Sequence, residues 1–346
     1  LSDKIKTGIL GCTGAVGQKL ISLLGNHPLF EVTELAASGN SAGLKYSERV
    51  NWKEASDIPE SIKGLIIKKC SDELDAKILF SGLDSGVAGE IEEFYASNGY
   101  AVVSNSKNHR MGTDVPLIIP EVNESHFELI KNQDSYKKSG GFIVTNPNCS
   151  TVVMALTLFP VYKNFGLKKV IVTTMQAVSG AGYPGISSMD ILGNVVPHIK
   201  DEEEKMQTEP LKIFGELSSG KIDFADFKIS ASCNRVPVRE GHTMAISFET
   251  KKKASRDEII SSFKELKKLN LPSSPDIVLE YFDNPFRPQP LLDLNSGAGM
   301  TVSAGNLRKC EVLDWKINAF GHNTIRGAAG AAIINAEYLV KNNFVK

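Results

Sequence analysis

An apolar run that breaks into three evenly spaced glycines and resumes as a helical pattern leaves few architectures open. Residues 5–24, "IKTGILGCTGAVGQKLISLL", do this, with Gly11, Gly14 and Gly17 in G-x-x-G-x-x-G spacing. Glycines there permit a tight strand-to-helix turn and close packing of helix on strand. They also let backbone N–H groups reach a pyrophosphate. Alone, the motif fits any glycine-rich turn, so the context decides. Short apolar runs, "FEVTELAAS", "GLIIKKC", "AKILFSGL" and "YAVVSNS", alternate with helical patterns such as "GEIEEFYASNG". That alternation predicts a mostly parallel, doubly wound sheet of Rossmann type. In it, Gly11, Thr13, Gly14, Ala15, Val16 and Gly17 form a dinucleotide-binding turn.

With 346 residues, the chain is long enough for two domains. From Cys149 the texture changes. The helical run "CSTVVMALTLFPVYKNFG" leads into longer strand-like segments: "KKVIVTTMQAVSG", "FKISASCNRVPV", "HTMAISFET", "MTVSAGNLRKC" and "EVLDWKINAF". Charged helical segments, "KDEEEKMQTEPLKIFGEL" and "SRDEIISSFKELKKL", lie between them. The fold class is α/β: a doubly wound first domain and a second α+β domain of mixed sheet. The expected division is residues 1–148 plus 324–346 for the cofactor domain and 149–323 for the other. An Ala-rich helix, "NTIRGAAGAAIINAEYLVKN", closes the chain. Residues 135–141 and 272–276 are the expected mobile surface loops.

Apolar residues make up 42%, charged residues 23%, and formal charge is -1, so nothing suggests a nucleic-acid partner. The five cysteines (Cys12, Cys70, Cys149, Cys233, Cys310) are odd in number and scattered. They form neither a disulfide framework nor a zinc spacing, so no metal is expected and a reducing compartment is. No apolar run approaches the roughly 20 residues of a membrane span, and "LSDKIKTGIL" lacks signal-peptide anatomy. The expectation is a cytoplasmic protein.

The second strand runs into "AASGNSAGLKY", with no carboxylate between Ala36 and Lys45. An NAD site usually places Asp or Glu about 20 residues past the glycines, on the ribose hydroxyls. A carboxylate would repel a 2′-phosphate, whereas Ser38, Ser41 and Lys45 suit one. NADP is the expected cofactor.

"TNPNCSTVVMAL", residues 145–156, ends an apolar strand and places Cys149 where a helix begins. Helix N-terminal N–H groups favour thiolate over thiol, and the same groups could hold an oxyanion. A buried inert cysteine is one reading, and a Cys–His hydrolase another. Thioester redox chemistry is the reading that uses both cysteine and cofactor: thiolate attacks an aldehyde, hydride leaves to nicotinamide, and a second nucleophile releases the acyl group. "SCNRVPVREGHTMAISF" supplies a cation, Arg235, and seven residues later a base, His242, before a strand. His322, in "FGHNTIRGAAG", is the rival base.

Together these residues resemble the aspartate-β-semialdehyde dehydrogenase family, in its archaeal and fungal branch. The likeness runs nearly end to end. It is most specific in "GCTGAVGQ", "SNSKNHRMGTDVPLIIPEVN", "NPNCST", "TTMQAVSGAGYPGISSMDILGNVVPHIKDEEEK", "NRVPVREGHT" and "NTIRGAAG". The resemblance implies reversible conversion of L-aspartate 4-semialdehyde, phosphate and NADP to 4-phospho-L-aspartate and NADPH, in threonine, methionine and lysine biosynthesis. It implies Cys149 as acyl-thioester nucleophile, His242 as acid/base and Gln176 as the orienting glutamine, with Asn148 before the cysteine. Arg235 matches the arginine on the substrate carboxylate and Arg110 that of the phosphate site.

Two E-x-x-K segments compete for the remaining substrate contacts. Glu209 and Lys212 fit better than Glu202 and Lys205, because Lys212 precedes Arg235 by 23 residues, near the family's interval. Glu209 would hold the ammonium and Lys212 the phosphate, leaving "DEEEK" as a solvated helical face. For the cofactor, the resemblance adds Ser81, Gly82, Ser179, Gly180 and Asn323, and a last helix folded back onto the first domain. The family often has Arg where Asn40 stands, which leaves NAD as second choice. A homodimer or homotetramer is implied. Rival readings are a malonyl-CoA reductase of the same branch, N-acetyl-glutamyl-phosphate reductase, which "NRVPVREGHT" fits poorly, and a redox sensor that has lost catalysis.

Overall fold

The computed structural model describes residues 4–345. β1 (Ile5–Leu10), β2 (Phe30–Ala37), β3 (Ile67–Lys69), β4 (Ile78–Ser81), β5 (Ala101–Ser104) and β6 (Phe142–Thr145) pair in parallel in the order β3-β2-β1-β4-β5-β6. β4, β5 and β6 are four-residue runs buried at every position. Burial on both faces is why they read as continuous apolar runs rather than as alternation. Strand order reverses between β1 and β4, so the ligand crevice is expected outside their carboxyl ends.

The glycine turn sits at that reversal. Gly11 has φ +75°, and a Cβ there would stand 2.8 Å from the Gly82 carbonyl oxygen. A Cβ at Gly17 would stand 2.3 Å from the Gly11 oxygen, so the Ala15–Leu24 helix packs on its strand only because that atom is missing. Gly14 caps this helix without a side chain, which leaves its first turn of N–H groups open to an anion.

Beyond the Cys149–Phe165 helix come β7 (Leu167–Gln176), a hairpin of β8 (Glu216–Ser218) and β9 (Lys221–Asp223), β10 (Lys228–Arg235), β11 (His242–Thr250), β12 (Leu279–Phe282), β13 (Val302–Lys309) and β14 (Trp315–Gly321). The hairpin stands apart; the other six form a mixed sheet, β10-β7-β11-β14-β13-β12. β7 alternates strictly, burying Val170, Val172, Thr174 and Gln176 while exposing Ile171, Thr173 and Met175. One face of the sheet therefore packs on the core. The Cys149 helix supplies that core: Val152 and Leu156 join Val170, Val172, Met244 and Ile246. A helix apolar on nearly every side must be covered all round, and this one is.

The closing helix is not regular throughout. Ile325–Ala329 is a π-helical turn leading into Gly330–Lys341, whose Ala332, Ile333 and Ala336 pack with Ile9, Leu20 and Phe80 of the first sheet. Arg326, on the π turn, is buried and makes a two-pronged bond to buried Glu121, at 2.9 and 2.8 Å.

One expected loop is a helix instead, and the other is a turn held by side chains. Residues 135–141 lie largely in the Asp134–Ser139 helix, which ends on Gly140 at φ +80°, a conformation glycine adopts freely. Residues 272–276 are stapled: Ser273 donates its N–H and hydroxyl to Glu337, which also accepts from His27 Nε2 at 2.8 Å. The charged helix expected through residue 217 stops at Ile213, followed by the β8–β9 hairpin that periodicity did not reveal.

Removing one partner of a buried ion pair typically costs about 3–5 kcal/mol, because the other charge stays buried. Arg326→Met should lower urea-unfolding stability by that much. The double change Arg326→Met with Glu121→Leu should recover most of it.

Candidate active site

Asn148 determines where the second-domain helix starts. Its Oδ1 accepts the N–H groups of Ser150 (2.9 Å) and Thr151 (3.3 Å), which makes Cys149 the first helical residue. Those N–H groups are thereby taken. The expectation that several helix N–H groups would hold an oxyanion is corrected: the cap leaves the Cys149 N–H.

Cys149 Sγ lies 3.2 Å from His242 Nε2. His242 opens β11, is fully buried, and accepts the Ala177 N–H through Nδ1 at 3.1 Å. A ring nitrogen that accepts a backbone N–H carries no proton, so the neutral imidazole holds its proton on Nε2, facing the sulfur. Two glycines close on this pair. A Cβ at Gly327 would stand 2.5 Å from the Cys149 Cβ, and one at Gly180 would stand 2.7 Å from Arg235 Nη1 and 3.3 Å from His242 Nε2. The rival, His322, turns instead to Thr324 (3.4 Å) and Glu240 (3.6 Å).

Charged groups surround the sulfur, and here one E-x-x-K assignment reverses. Lys212 is buried and directs its ammonium at the carbonyls of Arg110, Gly112 and Val115, at 2.7, 2.7 and 2.8 Å. All three of its protons are engaged, so it has none for a phosphate. Glu209 accepts from Arg110 Nη1 (2.9 Å) and from the Asn148 N–H (2.7 Å), so it holds protein groups rather than a substrate ammonium. Glu202, expected on a solvated face, is 7% exposed and accepts from both Asn148 Nδ2 (2.9 Å) and Gln176 Nε2 (3.3 Å). Lys205 bonds it at 2.8 Å. Arg235 ends β10 beside Gln176, the last residue of β7; its Nη1 donates to the Ala177 carbonyl at 2.9 Å. Its Nε and that of Arg110 are buried with no partner among the described residues, so both guanidinium groups retain donors.

Burial opposes ionisation of the reacting pair. It pushes the Cys149 thiol up to about 12, with Glu202 adding to the shift and Arg235, Arg110 and Lys205 opposing it. Burial, aided by Arg235, pushes His242 down to about 3. The thiolate expected from the helix start and neighbouring cations is thus not favoured, because desolvation outweighs them. Burial would also raise the Glu202 carboxyl, but Lys205 and the Asn148 and Gln176 amides outweigh it and hold Glu202 below the usual range.

The cofactor-side residues gather at the carboxyl ends of the parallel strands. Ser81 ends β4, and the Gly82 N–H bonds the Leu10 carbonyl at 2.9 Å. Ser38 is exposed and Ser41 buried in the turn after β2, closed by Ser41 N–H to Ser38 O at 2.9 Å. Asn323 accepts the Gly241 N–H (2.8 Å) and donates to Ser179 Oγ (2.9 Å), which ties the residue before His242 to the 179–180 turn. Ala15 of the glycine turn, Ser179, Tyr183 and Thr324 line one cleft of about 250 Å³. A larger cavity, about 760 Å³, lies among Lys6, Ala101 and Phe142. Those are amino-terminal strand ends, where a parallel sheet offers no ligand crevice.

Thiolate is the reactive form of cysteine, so below its pKa the rate of Cys149 alkylation should climb about tenfold per pH unit. With the thiol raised and His242 lowered, iodoacetamide labelling followed by mass spectrometry should show this rise without an inflection near the ordinary histidine value. A plateau reached below about pH 8 would mean a thiol at or below its ordinary range.

This geometry belongs to a wider group of proteins. Residues 6–130 match the family model described as semialdehyde dehydrogenase, NAD binding domain, and residues 158–326 match semialdehyde dehydrogenase, dimerisation domain. The chain is 46% identical to the aspartate-semialdehyde dehydrogenase of Archaeoglobus fulgidus, over 99% of this chain and all of that one. It is 41% identical to that of Saccharomyces cerevisiae, over the whole of both. The crystal structure of the Candida albicans aspartate-semialdehyde dehydrogenase with NADP superposes with a TM-score of 0.89 at 39% identity, covering 99% of this chain and all of that one. The chain belongs to the aspartate-semialdehyde dehydrogenase family.

Proposed function

We propose that the chain catalyses the reversible, NADP-dependent reductive dephosphorylation of 4-phospho-L-aspartate to L-aspartate 4-semialdehyde through an acyl-thioester on Cys149. The observation that carries this reading is the Cys149–His242 contact of 3.2 Å, within the electrostatic reach of Arg235, Arg110 and Lys205. Malonyl-CoA reductase finds no support: the relatives above are aspartate-semialdehyde dehydrogenases. The pocket's paired Glu202 and Lys205 suit an amino-acid substrate better than a thioester of malonate.

The glycine turn fits a dinucleotide, since Gly11 and Gly17 let strand, turn and helix pack where a Cβ would strike backbone, and Gly14 leaves the helix start without a side chain, its first N–H groups open to a pyrophosphate. NADP bound there supplies the hydride acceptor in one direction and donor in the other. Gly11, Thr13, Gly14, Ala15, Val16 and Gly17 would hold the pyrophosphate, and Ser38 and Ser41 the adenosine phosphate, with NAD as the second-choice cofactor. Ser81, Gly82, Ser179, Gly180 and Asn323 would line the nicotinamide side.

In the biosynthetic direction, the Cys149 sulfur bonds to the acyl carbon, the C–O bond to phosphate breaks, and phosphate leaves carrying the thiol proton. After two-electron reduction of the thioester, the C–S bond breaks to free aldehyde and thiolate. His242 Nε2 stands where a proton can pass to the tetrahedral oxygen or to the departing sulfur. Arg235, with unused donors, holds the substrate carboxylate; Glu202 takes the ammonium; Gln176 and Asn148 orient Glu202. Arg110 and Lys205 hold phosphate, with Lys205 replacing Lys212 in that role. The cofactor and catalytic units are residues 1–148 plus 324–346 and residues 149–323. A cytoplasmic homodimer, or two dimers paired as a tetramer, would use the exposed sheet face bearing Ile171 and Met175.

The test is NADP reduction by aspartate semialdehyde with and without phosphate: a rate that requires phosphate is expected. Cys149→Ala should abolish it while NADP still quenches intrinsic fluorescence; normal turnover in that variant would end the assignment. Losing a charged hydrogen bond costs about 1.5–3 kcal/mol, so Lys205→Met should raise the phosphate KM at least about tenfold. Lys212→Met should instead lower stability and leave that KM near normal.

A further inference from the structure

Asn146 lies three residues before the reactive cysteine and has no part in the chemistry above. Its surroundings are unusual. Asn335, on the last helix, donates from Nδ2 to Asn146 Oδ1 at 2.6 Å. Asn146 donates from Nδ2 to Asn105 Oδ1 at 2.8 Å, and Asn105 donates from Nδ2 to the Ser81 carbonyl at 3.1 Å. The three carboxamides point the same way, from the closing helix to the end of β4. Asn146 and Asn335 are fully buried.

We propose that Asn146 is a positioning residue, the hub of a carboxamide chain that holds the strand ends bearing Ser81, Arg110 and Cys149 in one register. Each branch ends on a part of the site. Asn105 follows β5, and its own carbonyl accepts Arg110 Nη2 at 2.8 Å. Ser81 and Gly82 turn away from β4 beside the glycine loop. The second proton of Asn146 Nδ2 approaches the Ala328 carbonyl at 3.4 Å, on the π turn whose Gly327 lies against Cys149. The backbone ladder ends with the Asn105 N–H on the Ser81 carbonyl, at 3.1 Å, and the Asn146 N–H on the Ser104 carbonyl, at 2.8 Å. Side-chain amides continue the cross-strand bonding there. Asn146 and Asn105 each donate and accept, so their neighbouring bonds polarise one another, while Asn335 enters only as a donor, its Oδ1 buried without a partner among the described residues. Asn335 also fixes the direction: by donating to Asn146 Oδ1, it turns the Asn146 donor toward Asn105.

The inference rests on Arg110 as the phosphate arm, and the experiment separates the two ideas. Asn146→Asp keeps the size of the side chain and the acceptor offered to Asn335, but sets an acceptor against Asn105 Oδ1 and Ala328 O. A misplacement of about 1 Å costs on the order of 100-fold in rate, so kcat should fall by about that factor. The phosphate KM should rise about tenfold through the loosened Arg110, with the melting curve still cooperative. Asn335→Ala, remote from every ligand, should shift both constants in the same direction by a smaller factor. If Arg110→Lys leaves the phosphate KM unchanged while Asn146→Asp still lowers kcat, the phosphate reading fails and the positioning role stands. Normal kinetics in Asn146→Asp would overturn it. So would an activity loss that only tracks lost melting temperature, with the phosphate KM unchanged in both asparagine variants.

Discussion

Every polar group of Asn148 is engaged, and the site depends on that. Its carbonyl accepts the Val152 N–H, its Oδ1 caps the helix, its Nδ2 holds Glu202 and its N–H is held by Glu209. A helix must satisfy its first N–H groups at a defined residue. Because that residue is Asn148, the next one, Cys149, emerges at the carboxyl ends of the parallel strands with its sulfur toward β11. The glutamates that grip Asn148 come from one helix of the second domain, while the strand leading into it comes from the first. The cysteine is thus fixed at the seam.

The seam also sets the electrostatics. Cys149 and His242 are both disfavoured as ions by burial, against the pull of Arg235, Arg110 and Lys205 on the sulfur. A dry neutral pair beside unsatisfied guanidinium donors is poised for an anionic substrate, since the substrate's charge completes the hydrogen bonding that the protein leaves open. Low dielectric makes such contacts stronger than they would be in water.

Much of the fold was legible in the sequence. The mostly apolar four-residue strands and the alternation in β7 from Lys169 onward are local consequences of how many faces a strand buries, and the glycine spacing of how closely helix and strand approach. The helix start at Cys149 was legible for the same reason, since a cap is a matter of adjacent residues. Less local features were hidden. The β8–β9 hairpin lies in a polar stretch without periodicity, and the order of residues 272–276 comes from Glu337 and His27, both distant in sequence. Asn146 lies in "NPNCST" and Arg326 and Gly327 in "NTIRGAAG", but those blocks do not tell what the three residues meet; their partners are brought to them by the closing helix.

The two E-x-x-K segments show most clearly where sequence stops. Glu202 with Lys205 and Glu209 with Lys212 lie on one helix, seven residues apart. Seven residues are nearly two turns, so both pairs occupy the same face and differ by only about 10 Å along the axis. Composition, spacing and periodicity treat them alike. By itself the sequence determined that two such acid–base pairs share one helical stripe. Only the tertiary structure decided which glutamate meets the Asn148 side chain and which its N–H, because that depends on where the helix is anchored along its axis. The upper pair meets the Asn148 side chain and Gln176. The lower pair is absorbed by Arg110, the Asn148 N–H and three backbone carbonyls, leaving it nothing to offer a ligand.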